Sequence, residues 1–96
     1  MIVADSSLRW RRILAVVEWR SERTRHDCPR ALRRARHRVR LEVERQWVET
    51  APQAGRPVRR VFIAREGPAP GGRQFRITLE SGGRVTVEER VSPGTG

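Results

Sequence analysis

The clearest pattern in the chain lies in residues 74–91. Phe75, Ile77 and Leu79 alternate with Arg76, Thr78 and Glu80, and after Ser81-Gly82-Gly83 the alternation resumes with Val85 and Val87 against Arg84, Thr86 and Glu88. A period of two marks a half-buried strand, and two such runs around a glycine-rich break predict a β-hairpin. A two-residue loop at Gly82-Gly83 would set Leu79 opposite Thr86 and Ile77 opposite Glu88, mixing apolar and polar on one face. A three-residue loop, 81–83, sets Leu79 opposite Val85 and Ile77 opposite Val87. On the other face it sets Glu80 opposite Arg84, Thr78 opposite Thr86 and Arg76 opposite Glu88. That register segregates the apolar pairs, matches opposite charges, and puts Gly83 where such loops need a positive φ. It is the register the sequence predicts.

Upstream the period changes. From residue 8 to about residue 22 there is no Gly or Pro, and Trp10, Ile13, Leu14 and Val17 fall at helical spacing while Leu8, Ala15, Val16 and Trp19 lie elsewhere around the same cylinder. A helix apolar on two sides is expected, preceded by the N-cap candidates Asp5, Ser6 and Ser7. A buried strand over 13–19 is the competing assignment, and residues 1–4 form a candidate short strand. Residues 21–27 are polar and serve as a connection. Pro29 in a first turn and Pro52 beyond the last bound a second helix over 29–50, with an apolar stripe of Leu32, Ala35, Val39, Val43 and Trp47. Against this helix stands the alternation of Val39, Leu41 and Val43 with Arg40 and Glu42, which would make residues 38–48 a fourth strand. No Gly or Pro separates that run from the residues before it, and the missing breaker favours the helix.

Residues 50–57 read as a loop, 58–65 as a strand with Val61 and Ile63 inward and Phe62 outward, 66–72 as a linker, and 92–96 as a disordered tail. The expected fold is α+β: one domain over residues 1–91, with an N-terminal helical pair packed on a three-stranded antiparallel β-meander. Only 36% of the 96 residues are apolar, which makes a thin core and points to shared apolar surface in a homodimer. Leu8, Val16 and Trp19, on the second apolar side of the first helix, are the interface candidates. The single Cys28 excludes an internal disulfide and fits a reducing, cytoplasmic setting. No run approaches the roughly 20 apolar residues of a membrane span, so a membrane partner is not expected.

Charge changes the picture more than composition. All 21 basic residues are arginine and the formal net charge is +10. Residues 23–40 hold eight of those arginines against Asp27 alone. On a helix, Arg30, Arg33, Arg34, His37, Arg38 and Arg40 would spread over the side opposite the Leu32–Trp47 stripe, with Arg36 at its margin. Guanidinium groups in a row suit consecutive phosphates, so the expected partner is a DNA or RNA backbone, or an acidic protein. The expected function is that of a nucleic-acid-binding accessory factor, with a protein-interaction module or small homodimeric subunit as the alternative. No base-reading motif accompanies the arginines.

Candidate catalysis is sparse. Cys28 and His37 do not match zinc-ligand spacing, and the arginines around Cys28, His26 and Asp27 would repel a cation. No nucleophile has an identifiable base, no two carboxylates form an acid–base couple, and no cofactor-binding motif is present. Trp10, Trp19 and Trp47 read as core or interface anchors. The order of a strand at residues 1–4, a helical pair and an antiparallel sheet resembles the layout of RelE-like toxins, which would imply ribonuclease activity. The chain departs from that family in lacking a His or Tyr after the last strand.

Overall fold

The computed structural model describes residues 9–20, 28–50, 57–67 and 72–91. Seven strands account for nearly all of them: β1 (Arg9–Ile13), β2 (Val16–Arg20), β3 (Cys28–Arg34), β4 (His37–Thr50), β5 (Pro57–Glu66), β6 (Gln74–Glu80) and β7 (Val85–Val91). They form one antiparallel sheet in the order β1-β7-β6-β5-β4-β3-β2. From β1 at one edge the chain passes through Leu14 and Ala15 to β2 at the opposite edge, and returns strand by strand until β7 lies beside β1.

That connection dictates the shape. Three Cα steps from Ile13 to Val16 reach at most about 11 Å. The edges of a flat seven-stranded sheet would lie about 29 Å apart at normal strand spacing. The sheet must curl until its edges approach, and it does so as an open half-barrel. Three register shifts assist the curl by adding local twist; one of them sets Glu49 opposite Arg59 and Thr50 opposite Pro57, leaving Val58 as the extra residue. In β4, Val43 faces Ala64 and Arg45 faces Ile63, leaving Glu44 as the extra residue. Between β2 and β3, Glu18 faces Ala31 and Trp19 faces Pro29, leaving Arg30 as the extra residue.

The inside of the curl holds the core: Ile13, Leu32, Leu41, Phe62, Ala64, Phe75, Ile77 and Val87, with Ala15, Val17, Trp19, Val39 and Val43 packed against them. Phe62, Phe75 and Ile77 are fully enclosed, each contributing about 1.5–3 kcal/mol by burial. Trp19 meets Phe62 edge-on, with ring centroids 5.9 Å apart. This joins the β2 edge to the centre of the sheet.

The expected α+β fold is thus corrected to all-β, and no helix occurs among the described residues. In residues 13–19 the inward positions are Ile13, Ala15, Val17 and Trp19, a strict alternation. It is hidden in the sequence because the outward positions Leu14 and Val16 are apolar too, and they are 91% and 57% exposed. In residues 29–50 the supposed helical stripe rests on steps of four. Four is also two strand repeats, so Val39 and Val43 share a face in a strand as well. The turn between β3 and β4 carries no breaker because Ala35 itself takes the positive φ of 53°. The fourth-strand assignment of 38–48 describes these residues, and the layout shared with RelE-like toxins falls with the helices.

The 74–91 hairpin has the expected register pair by pair: Arg76 with Glu88, Ile77 with Val87, Thr78 with Thr86 and Leu79 with Val85. Gly83 takes a φ of 94° and donates its N–H to the Glu80 carbonyl at 2.8 Å. In β5 the expected faces are reversed. Phe62 points into the core, while Val61 and Ile63 are buried on the outer face, where their cross-strand neighbours are Trp47, Thr78, Arg45 and Arg76. The expected strand at 1–4, the connection at 21–27 and the tail at 92–96 lie outside the described residues.

Candidate polyanion interface

β3 and β4 form a hairpin with a two-residue turn, Ala35-Arg36. Its last two cross-strand pairs are Arg33 opposite Arg38 and Arg34 opposite His37. Like charges directly opposed across a ladder are unfavourable, and every side chain from Arg33 to Arg38 is exposed. The hairpin tip therefore concentrates four guanidinium groups and an imidazole within six residues.

Two carboxylates from other strands partly compensate this charge. Glu18 of β2 accepts from Arg38 Nε at 3.1 Å and lies 3.6 Å from Arg33 Nε. The hydrogen bond from Arg38, with the charges of Arg38, Arg33 and Arg30 behind it, holds the Glu18 carboxyl below its ordinary range. Glu89 of β7 is buried on the inner face and lies 3.7 Å from Arg34 Nη1. It also accepts from Arg11 at 3.3 Å and from Arg73 at 3.3 Å. β3 and β7 stand four places apart in the sheet, so the Arg34–Glu89 contact exists only because the sheet curls. Each of these carboxylates is shared by at least two arginines, and the tip remains strongly positive. Arg36, on the turn, has no ion pair among the described residues.

The sequence-predicted basic residues thus separate into two groups. Arg33, Arg34, His37 and Arg38 meet at the tip, joined by Arg36. Arg30 and Arg40 sit farther along the hairpin, in the wall of a pocket that also includes Arg20, Cys28, Pro29 and Gly67. No continuous arginine-bearing helix face exists. Glu18, Glu89 and Arg20 are the participants that sequence reasoning missed, and no local pattern marks them, since each is brought in by strand pairing or curl.

The expected interface triad does not assemble either. Val16 is exposed on the outer face opposite Arg33, whereas Trp19 is packed in the core, and Leu8 lies outside the described residues. Trp10 is half-buried under the Arg76 guanidinium at 5.0 Å. Trp47 is more exposed and donates its ring N–H to Glu49 at 3.1 Å. No aromatic ring lies on the tip, which leaves charge and hydrogen bonding as its means of contact. Cys28 and His37 sit at opposite ends of the β3–β4 hairpin, and among the described residues no three His, Cys, Asp or Glu side chains gather as a metal site. Among them, too, no helix is long and apolar enough to cross a membrane. Set beside known proteins, the chain matches no family model, no curated protein and no solved structure.

Proposed function

We propose that the protein binds the phosphate backbone of nucleic acid through the tip of the β3–β4 hairpin. The observation that carries this reading is the direct opposition of Arg33 to Arg38, continued by Arg34 opposite His37 with Arg36 between them. A fold selected for stability alone would put a carboxylate in one of those positions, as β6 and β7 do with Arg76 and Glu88. Guanidinium forks facing solvent suit phosphate oxygens. The absence of aromatic rings on the tip argues for backbone contact, not base stacking.

A salt titration tests this. If four phosphates are neutralised, log affinity for duplex DNA should fall with log salt at a slope near about −3.6. Fluorescence anisotropy at several salt concentrations measures the slope. Arg36→Ala with Arg38→Ala should flatten it by about 1.8, at about 0.9 per phosphate contact removed. Binding that ignores salt, or a slope unchanged by the double substitution, overturns the reading.

A further inference from the structure

Two carboxylates engage the arginines of the tip, and they do so differently. Glu18 accepts from Arg38 Nε at 3.1 and 3.2 Å, and Arg38 Nη2 also lies 3.1 Å from its Oε1. Glu89 meets Arg34 Nη1 at 3.7 Å, beyond hydrogen-bonding length. We propose that Glu89 makes an autoinhibitory contact: it occupies Arg34 in the free protein and yields it when a polyanion arrives. This role rests on phosphate binding at the tip and names what regulates it.

Three observations support it. First, the Arg34 side chain is 45% exposed and that of Glu89 only 10%. A phosphate approaching from solvent therefore reaches the guanidinium, and the carboxylate stands behind it. An arginine backed by a carboxylate attracts phosphate less, because the second anion brings its own repulsion.

Second, Glu89 loses little when Arg34 leaves. It accepts from Arg11 Nη2 and from Arg73 Nη1, each at 3.3 Å. A buried carboxylate stripped of its counter-charge is costly, but this one keeps two hydrogen-bonded arginines. The Arg34 contact is the longest of its three ion pairs among the described residues, and so the one that gives way.

Third, β3 does not depend on the contact for its place. Leu32, two positions before Arg34 on the same face, anchors the strand in the core, and Val39 opposite it does so for β4. Arg34 can turn from Glu89 to a phosphate with the hairpin still in position. Arg38, closed on Glu18 by two donors, is held more firmly, which makes Arg34 the exchangeable guanidinium of the tip.

The test uses the full chain and labelled duplex DNA, followed by anisotropy at about 0.15 M salt, where distant charges are screened. Glu89→Gln should tighten binding about fivefold. Glu89→Asp, which keeps the charge but withdraws it from Arg34 by one methylene, should tighten it in the same direction by less. On an Arg34→Gln background both substitutions should change affinity by less than about twofold, as should Glu80→Gln in the otherwise unaltered chain. Circular dichroism checks folding, and where Glu89→Gln is unfolded the Glu89→Asp cycle decides. Unchanged affinity in both Glu89 variants, or equal tightening with and without Arg34, overturns the autoinhibitory contact. If salt-dependent binding by the unaltered chain persists in that case, the tip reading stands without it. Absence of DNA binding by every variant removes both.

Discussion

The two hairpins β6–β7 and β3–β4 are built on opposite principles. In β6–β7 the outer-face pair Arg76–Glu88 closes with two hydrogen bonds at 2.8 Å, the inner-face pairs next to the turn, Ile77–Val87 and Leu79–Val85, are apolar, and a glycine takes the positive φ. In β3–β4 the outer-face pair Arg33–Arg38 is repulsive, the inner-face pair Arg34–His37 is basic, and an alanine takes the positive φ. One hairpin satisfies its local preferences by itself. The other violates them and is held by groups from elsewhere: Glu18 across the β2 edge, Glu89 across the curl, and Leu32 and Val39 in the core. Local rules tend to be broken where a surface serves something other than the fold. The proposed binding surface accordingly lies on β3–β4, with β6–β7 as its support.

The largest expected effect joins the two hairpins. Phe62 pairs with Ile77 of β6 and contacts Trp19 of β2, so Phe62→Ala should destabilise the whole sheet by about 3–5 kcal/mol, read from urea unfolding. A loss below about 1 kcal/mol would mean that the β2 edge is not folded onto the β5–β7 meander.

Next is the cross-curl carboxylate. Glu89→Gln leaves Arg11, Arg34 and Arg73 converging without a counter-charge and should cost about 2 kcal/mol, less at high salt. The control Glu80→Gln touches a carboxylate with no ion pair among the described residues and should be neutral within about 0.5 kcal/mol. Equal effects would remove the distinction between locally and remotely compensated charge.

The turns provide a smaller contrast of opposite sign. Gly83→Ala should destabilise by about 1 kcal/mol, because a Cβ is strained at that positive φ. Ala35→Gly should stabilise by about 0.5–1 kcal/mol, because it relieves the same strain in the other hairpin. Thermal unfolding of the two variants decides this, and a shared sign would refute the comparison.

The smallest effect is the dependence on acid. Glu18 is held below the ordinary value of 4.5 chiefly by the hydrogen bond from Arg38. Glu44 is held below 4.5 by those from Gln74 and then Arg65, and Glu66 by that from Arg73. A folded carboxyl with a depressed pKa contributes stability that is complete above the unfolded value and disappears as pH falls through the folded one. The melting temperature should therefore be flat above about pH 5 and decline below about pH 4.5. The decline should be modest, since all three groups are solvent-screened. Glu18→Gln should reduce it, and a melting temperature that rises on acidification would contradict these pairings.

How much of this was legible in the chain depended on where each element finds its partners. The β6–β7 register follows from pairs such as Arg76–Glu88 and Ile77–Val87, within twelve positions of one another, and local arithmetic sufficed. For β1 and β2, apolar residues on both the inner and outer positions imitated a helix, because Leu14 and Val16 are exposed yet apolar. For β4, steps of four fitted a helix and a strand equally, and the bulge at Glu44 broke the alternation that would have separated them. The candidate site was legible as a segment and not as a surface. The excess of arginine in residues 23–40 was visible, but its division between a tip and a pocket was not, because the turn at Ala35 and the bulge at Arg30 carry no sequence mark.

The sequence by itself determined the hairpin of residues 74–91, the strand that precedes it and the concentration of positive charge, since these rest on near-neighbour pairing and simple counting. Only the tertiary structure decided that Arg9–Ile13, Val16–Arg20, Cys28–Arg34 and His37–Thr50 are strands. Their hydrogen bonds and buried faces are supplied by partners as distant as β1 from β7, and backbone groups with two permissible pairings take the one that closes the core. The same closure brings Arg34 to Glu89, because curling the sheet sets the distance between charges that the chain order leaves open.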